Sequence, residues 1–249
     1  MQPHFLHLGN VLHLFILGIL TGSVYKDYAL LKNGFPAESI TNGSVIVIKT
    51  HEFGEEAMSM FDRAILLVRD PFASILAEFN RRSGGHIGHA SVEKYRRNGG
   101  KYWRSFVKNK AAEWRKMNLA WFEAYSVKPG GLIAISYEDL VHDPEKQLSK
   151  VLNFLGIQVP ETSMRCAIAH KEGIYKRGKH KAVNFPVFNP ELMRLITIEE
   201  DIVYRKLGLS RPPVPPSIVA SHPPWHEDHG IINGTEANMT STHHRGKSS

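Results

Sequence analysis

The sequence predicts an α/β fold with a parallel sheet flanked by helices, because three apolar runs alternate with helical patterns along the chain. The runs are Ser44–Ile48, Ile65–Val68 and Gly131–Ile135, and none of them contains a charged residue. Runs of this kind are typical of strands covered on both faces, as the strands of a parallel sheet are. Polar residues follow each run directly. Chemistry is therefore expected at the carboxyl edge of the sheet.

The second run is followed by three residues that predict a strand-to-helix junction: Arg69, Asp70 and Pro71. Aspartate is a favoured N-cap and proline is tolerated in the first turn, so a helix is expected to begin here. Arg69 would then lie beside a helix N-terminus at the carboxyl edge of the sheet, where α/β folds bind anionic ligands. Taken alone, Arg69 could equally form a surface ion pair.

A similar start signal, Asp143 followed by Pro144, predicts a helix after the third run. Apolar residues then recur at helical spacing: Leu148, Val151, Leu152 and Leu155. Gly156 is a natural C-terminal cap for this helix. Three strands and their helices give an α/β layered domain.

Composition divides the 249 residues into three parts. Residues 1–20 form an atypical apolar segment, and its run Val11–Leu20 is too short to cross a membrane, so a buried helix is expected there. Residues 21–209 form one domain with enough apolar residues for a core. Residues 210–249 are rich in proline and polar residues and are expected to be an unpacked tail. Cys166 is the only cysteine, so no internal disulfide can form.

The chain carries a formal net charge of +7, and basic residues are concentrated between Arg81 and Lys116. Aromatic residues are interleaved with them: Tyr95, Tyr102, Trp103, Phe106 and Trp114. Aromatic faces stack on sugar rings and cations attract anionic groups, so this region fits an anionic glycan. Trp114 could instead pack a helix core. No nucleic-acid-binding module is recognisable, so nucleic acid is not expected as a partner.

As a set, the motifs resemble the sulfotransferase family, enzymes that use 3′-phosphoadenosine 5′-phosphosulfate. They are IKTH at 48–51, LLVRDPFAS at 66–74 and ISYEDLVHDPEKQLSKVLNFLGI at 135–157. The segments TGSVY, IKTHE, AEFNRRSGGHIGHAS and YKRGK are similar to WSC-domain-containing proteins with a sulfotransferase domain, which are implicated in sulfating sialic acid on glycans. The resemblance implies a P-loop-NTPase-like sulfotransferase fold and a glycan or glycoprotein acceptor. It also implies a membrane-anchored Golgi enzyme, on the membrane or in the lumen.

The resemblance also assigns the transfer residues. His51 would be the base that takes the proton of the acceptor hydroxyl, and Lys49 would meet the charge that develops on the transferred group. The two residues are two positions apart at a strand end, so their side chains share a face. From the tripeptide alone, a solvated lysine and a histidine bonded to backbone would be the simpler interpretation.

For the nucleotide, the resemblance matches Arg69 to the arginine that binds the 3′-phosphate. The family usually has a serine eight residues later, where this chain has Ala77. Ser74 lies on the same helical face and could replace it.

A second basic cluster lies in the late part of the chain. By resemblance, Lys176, Arg177 and Gly178 would close the nucleotide site, because glycine admits backbone amides to phosphate and the cations neutralise it. No metal is expected: His86 and His89 lack the further ligands of a zinc site.

One family feature is not recognisable. The family opens with a strand and a loop of lysine, glycine and serine or threonine around the 5′-phosphosulfate, but residues 1–20 contain no lysine or arginine. We therefore expect an N-terminally truncated sheet without its first strand, and a chain without that loop, the membrane anchor and the WSC domain. Three N-glycosylation patterns, at Asn42, Asn233 and Asn238, agree with a lumenal location.

Two alternatives remain open at this point. One is a catalytically inactive remnant that binds nucleotide or anionic glycan. The other is a kinase-like enzyme of the same architecture, which is disfavoured because no Gly-Lys-[Ser/Thr] loop and no obvious magnesium-binding carboxylate are present.

Overall fold

The computed structural model describes residues 4–7, 21–24, 37, 39–85, 88–170 and 186–213. Over these residues it confirms the α/β class, because helices flank a five-stranded sheet whose paired strands are all parallel. The strands are β1 (His4–His7), β2 (Thr21–Ser23), β3 (Val47–Lys49), β4 (Ala64–Val68) and β5 (Leu132–Ser136). Their order in the sheet is β2-β3-β1-β4-β5.

The central strand corrects one expectation. Phe5 of β1 is paired with Ile48 on one side and with Ala64 on the other, so the prediction of a sheet without its first strand is wrong. The sheet includes His4–His7 and does not begin at Thr21. A strand of four residues carries too short an apolar pattern to be recognised, and its place is fixed by pairing with strands that are distant in sequence.

The other strand predictions are confirmed with shifted bounds. β3 begins at Val47, three residues later than predicted, and β5 is shifted by one residue to Leu132–Ser136. The apolar run Val11–Leu20 lies outside the described residues. So does the second basic cluster with Lys176, Arg177 and Gly178.

The described helices are α1 (Glu55–Ser59), α2 (Pro71–Gly84), α3 (Val92–Arg96), α4 (Lys101–Tyr125), α5 (Tyr137–His142), α6 (Pro144–Leu155), α7 (Glu161–Ala169) and α8 (Pro190–Leu207). Both predicted helix starts are confirmed. Asp70 Oδ1 accepts the Ala73 N–H at 2.6 Å, and Asp143 Oδ1 accepts the Lys146 N–H at 3.1 Å. Gly156 ends α6 in the left-handed conformation with φ 69°, which glycine adopts without strain.

The two faces of the sheet are buried by different helices, as alternation along β4 requires. Ile65 and Leu67 pack in a cluster with α6 and α7, whereas Leu66 and Val68 pack in a cluster with α4 and α8. A third cluster joins α2, α3, the first half of α4 and the start of α8. Helix α4 takes part in both of the last two clusters, and this long helix therefore connects the sheet to the helices beside it.

Candidate functional site

The sheet places three of the predicted site residues, Lys49, His51 and Arg69, around the carboxyl end of its central strand. From β1 the chain runs to β2 and β3 on one side and then crosses to β4 on the other, so the strand order reverses at β1. In open parallel sheets, ligands bind outside the carboxyl ends of the strands at such a reversal. β3 leads to Lys49 and His51 on one side of this point, and β4 leads to Arg69 on the other.

The register fixes the relative height of these residues. Leu6 is paired with both Lys49 and Ile65, so those two residues lie at the same level of the sheet. Arg69 lies four residues beyond Ile65, further out along the same direction. Because β1 separates β3 from β4, their axes are two strand spacings, about 10 Å, apart. The two groups thus lie at the same edge of the sheet, on either side of β1.

Arg69 is half-buried, and its guanidinium carbon lies 4.6 Å from the centre of the Tyr137 ring. The carbonyl oxygen of Arg69 accepts the indole N–H of Trp114 at 3.1 Å. Its buried Nε has no hydrogen-bond partner among the described residues. A buried guanidinium N–H without an acceptor is costly, so an anion that accepts from it would be stabilised here.

The backbone after Arg69 is tied to the end of β5. The Asp70 N–H donates to Glu138 Oε1 at 3.1 Å, and Glu138 Oε2 accepts the Ser136 hydroxyl at 3.2 Å. Burial raises the pKa of Asp70, and the nearby Glu138 carboxylate adds to this effect. Neighbouring strand ends are therefore connected by one carboxylate, which fixes the backbone that presents Arg69.

Ser74 lies in the first turn of α2 and is half-buried, and its N–H donates to the Asp70 carbonyl at 2.9 Å. Ala77 lies about one turn further along the same helix. Ser74 is therefore near the end of the strand that carries Arg69. A role for its hydroxyl in nucleotide binding stays a prediction.

The end of β3 is built differently. The Lys49 carbonyl accepts the Val24 N–H at 3.2 Å, which ties the end of β2 to it. Thr50 is buried and its Oγ1 accepts the Glu52 N–H at 3.0 Å, so the backbone turns directly after the strand. His51 in this turn is exposed, and Lys49, the last residue of β3, is half-buried. An exposed imidazole at this edge can exchange a proton with a bound substrate.

The sequence interpretation missed the residues that hold these strand ends. Tyr137 and Glu138 directly follow β5, so the carboxyl-edge rule that singled out Arg69 could have found them too. For Trp114, the sequence predicts only a place in a helix core or at a ligand. Its indole hydrogen bond to Arg69, and that of Trp121 to the Glu52 carbonyl at 3.2 Å, have no local sequence signal.

The basic and aromatic region needs a correction. Tyr95 and Trp103 are buried, each at 1% exposure, so their faces are not available to a sugar, whereas the 8% exposure of Trp114 confirms its packing in a helix core. Their rings pack in the core because each lies on the inner face of α3 or α4. Tyr102, in contrast, is 41% exposed.

Two arginine–aromatic pairs remain at the surface. The Arg97 guanidinium lies over the Tyr102 ring at 5.3 Å, and the Arg82 guanidinium over the Phe106 ring at 5.7 Å. We call these four residues the arginine–aromatic surface. Arg82 also pairs with the Glu78 carboxylate at 2.6 Å, and Lys108 pairs with Glu191 at 2.8 Å.

Among the residues that the structure describes, no cluster of histidine, cysteine and carboxylate side chains could hold a metal ion. No helix in this part of the chain is long and apolar enough to cross a membrane.

Comparison with known proteins finds a matching family model, similar sequences and similar solved structures. Residues 59–161 match the model of the Sulfotransferase family. WSCD family member CG9164 of Drosophila melanogaster is 49% identical over 195 residues, which cover 78% of this chain and 60% of that protein. A WSCD family member of Aedes aegypti is 48% identical over 194 residues, with the same shares of 78 and 60%.

Among solved structures, mouse sulfotransferase SULT7A1 complexed with PAP is similar, with a TM-score of 0.49 and 15% identity over 82% of this chain and 84% of that one. The chain spans about 60% of the length of the curated relatives that it matches. Residues 59–161 therefore match a sulfotransferase family domain, and the chain is similar in sequence to the WSCD family members.

Proposed function

We propose that this chain transfers a sulfuryl group from 3′-phosphoadenosine 5′-phosphosulfate to a hydroxyl of an anionic glycan. The observation that carries the proposal is Arg69, whose buried Nε lacks a hydrogen-bond partner in the described structure at the reversal point of the sheet. The family domain over residues 59–161, which includes Arg69, supports sulfuryl transfer as the reaction.

Arg69 would bind the 3′-phosphate of the nucleotide. A guanidinium can donate two parallel hydrogen bonds to one phosphate group, and the Tyr137 ring restricts its orientation. The hydroxyl of Ser74, one turn into α2, would add a further donor. Lys176, Arg177 and Gly178 are proposed to close the site over the phosphates, although they lie outside the described residues.

His51 and Lys49 would act on the transferred group. The acceptor hydroxyl oxygen forms a bond to sulfur while the bond from sulfur to the bridging phosphate oxygen breaks. The hydroxyl proton passes to the His51 imidazole, and adenosine 3′,5′-bisphosphate leaves with the bonding electron pair on its phosphate oxygen. The Lys49 ammonium stabilises the negative charge that develops on the oxygens of this step.

The arginine–aromatic surface is proposed to bind a part of the acceptor glycan away from the reacting hydroxyl, because Tyr102 and Trp121, which contacts the turn of His51, lie about 28 Å apart along α4. Arg97 would supply positive charge for a carboxylate, since Arg82 is already paired with Glu78, and the exposed Tyr102 ring offers a face on which a sugar can stack. Sialic acid combines a carboxylate with several hydroxyls and fits this chemistry. The Golgi membrane or lumen expected from the resemblance stays a prediction.

The test is transfer of labelled sulfuryl from the nucleotide donor to a sialylated glycoprotein, with the enzymatically desialylated glycoprotein as the control acceptor. We expect label on the sialylated acceptor only. Label on both acceptors would support sulfuryl transfer but would show that sialic acid is not the required acceptor. Nucleotide binding without label on either acceptor would favour the inactive remnant, and absence of both would reject the proposal.

A further inference from the structure

One face of α4 carries three side chains that donate hydrogen bonds to backbone carbonyls around the sheet. Trp114 donates to the carbonyl of Arg69 at 3.1 Å, and Trp121 donates to the carbonyl of Glu52 at 3.2 Å. The Tyr125 hydroxyl lies within hydrogen-bond distance of the Met58 and Phe61 carbonyls, at 2.5 and 2.9 Å. Spacings of seven and four residues place all three on the same side of the helix.

Two of these bonds reach the strand ends that form the candidate site. Arg69 directly follows β4, and Glu52 directly follows His51 at the end of β3. β3 and β4 are not hydrogen-bonded to each other because β1 lies between them. Beyond the last paired residues of the strands, α4 therefore directly connects the end of β4, where the nucleotide is proposed to bind, with the end of β3, where the base is proposed to lie.

The helix that makes this connection is held firmly in place. Trp121 is 0% exposed, its ring lies 5.6 Å from that of Tyr125 in a stacked arrangement, and it also contacts Phe61 at 6.1 Å. The Trp114 ring stacks on Tyr204 of α8 at 6.4 Å. Rings packed in this way have little freedom to rotate, so the directions of their N–H groups are fixed.

We propose that Trp114 and Trp121 are positioning residues that together set the separation between Arg69 and His51, an inference that rests on the proposed function. An in-line transfer requires the acceptor oxygen, the sulfur and the leaving oxygen to be aligned, and small displacements lower the rate steeply. Trp114 positions the backbone of the phosphate-binding arginine. Trp121 positions the turn that carries the base.

The two residues consequently have separable effects. Trp114→Phe should raise the dissociation constant of adenosine 3′,5′-bisphosphate by about 10-fold, because Arg69 loses its backbone support. Trp121→Phe should leave that constant unchanged and lower kcat by about 10-fold, because only the base side moves. The matched control is Tyr125→Phe, which removes a donor from the same face of α4 but away from both strand ends.

The experiment measures the bisphosphate dissociation constant by calorimetry, kcat for sulfuryl transfer and the thermal midpoint for the wild type and the three variants. A second set replaces each tryptophan with benzothienylalanine, in which sulfur takes the place of the indole N–H. This residue keeps the ring volume, so the set distinguishes the lost donor from a packing defect if a phenylalanine variant folds poorly.

We expect changes at position 114 to raise the bisphosphate dissociation constant and changes at position 121 to lower kcat. Tyr125→Phe should have the wild-type value of both. If the wild type binds and transfers but both tryptophan variants behave like Tyr125→Phe, the proposed function stands and the positioning role is wrong. If the wild type neither binds the bisphosphate nor transfers, the proposed function fails and the positioning role fails with it.

Discussion

The ends of β4 and β3 lie at the same edge of the sheet, yet they are held in different ways. At the end of β4, Arg69 stacks on Tyr137, its carbonyl accepts from Trp114, and the next backbone N–H donates to Glu138. At the end of β3, a short turn leaves His51 exposed. The difference suits the two partners proposed above, a nucleotide bound by a preorganised residue and an acceptor that approaches from solvent.

The largest expected effect is at the exposed end. His51→Ala should lower sulfuryl transfer by about 10²- to 10⁴-fold, the usual contribution of a general base, and leave bisphosphate binding unchanged. His142→Ala is the control, because His142 is also exposed but lies at the end of α5. Normal transfer by the His51 variant would remove this residue from the mechanism.

At the buried end, the expected loss is in binding. Arg69→Ala should weaken bisphosphate binding by about 10- to 100-fold, as loss of hydrogen bonds to a charged group does. The chain offers a matched control in Arg63, which precedes the opposite end of β4 and also stacks on a ring, that of Phe154 at 3.9 Å. Equal affinities for Arg69→Ala and Arg63→Ala would show that the arginine after β4 has no special role.

A smaller effect is expected for the ring beneath Arg69. Tyr137→Leu removes the cation–π contact and should weaken bisphosphate binding by about 3- to 10-fold. Tyr137→Phe keeps the ring and should retain most of the affinity. Calorimetry on both variants tests this, and a loss of the same size in both would assign the effect to the hydroxyl instead of the stacking.

The smallest effect concerns the N-cap beside Arg69. Burial raises the pKa of Asp70 above its ordinary value of 3.8, so the folded protein binds this proton more tightly than the unfolded chain does. The resulting stabilisation is complete below 3.8 and is lost as the pH rises through the folded pKa. The wild type should therefore lose stability relative to Asp70→Asn, which caps α2 without titrating, as the pH rises through this window.

Urea unfolding of the two proteins at a series of pH values measures this difference in free energy. A difference that does not change with pH would contradict the raised pKa of Asp70.

The predictable parts of the molecule are those with local signals. β4 and the start of α2 could be predicted because a charge-free run is followed, after Arg69, by Asp70 and Pro71, and both features lie within a few residues. Gly156 marked the end of α6 in the same way. Arg69 was placed correctly at the carboxyl edge because its position depends only on these neighbours.

What could not be predicted depends on contacts between distant residues. β1 has four residues, and its central place depends on pairing with β3 and β4. Trp114 is 45 residues from Arg69 in sequence, so no local pattern could reveal their hydrogen bond. Nor can composition show which rings are buried: Tyr102 and Trp103 are neighbours in the chain, yet one is exposed and the other belongs to the core.

The proposed nucleotide site depends above all on binding of the 3′-phosphate by Arg69. The most direct measurement is calorimetric titration of the wild type and of Arg69→Ala with adenosine 3′,5′-bisphosphate and, separately, with adenosine 5′-monophosphate, which lacks that phosphate. We expect the wild type to prefer the bisphosphate and Arg69→Ala to lose this preference. Equal affinity of the wild type for both nucleotides, or an undiminished preference in the variant, would contradict this role of Arg69.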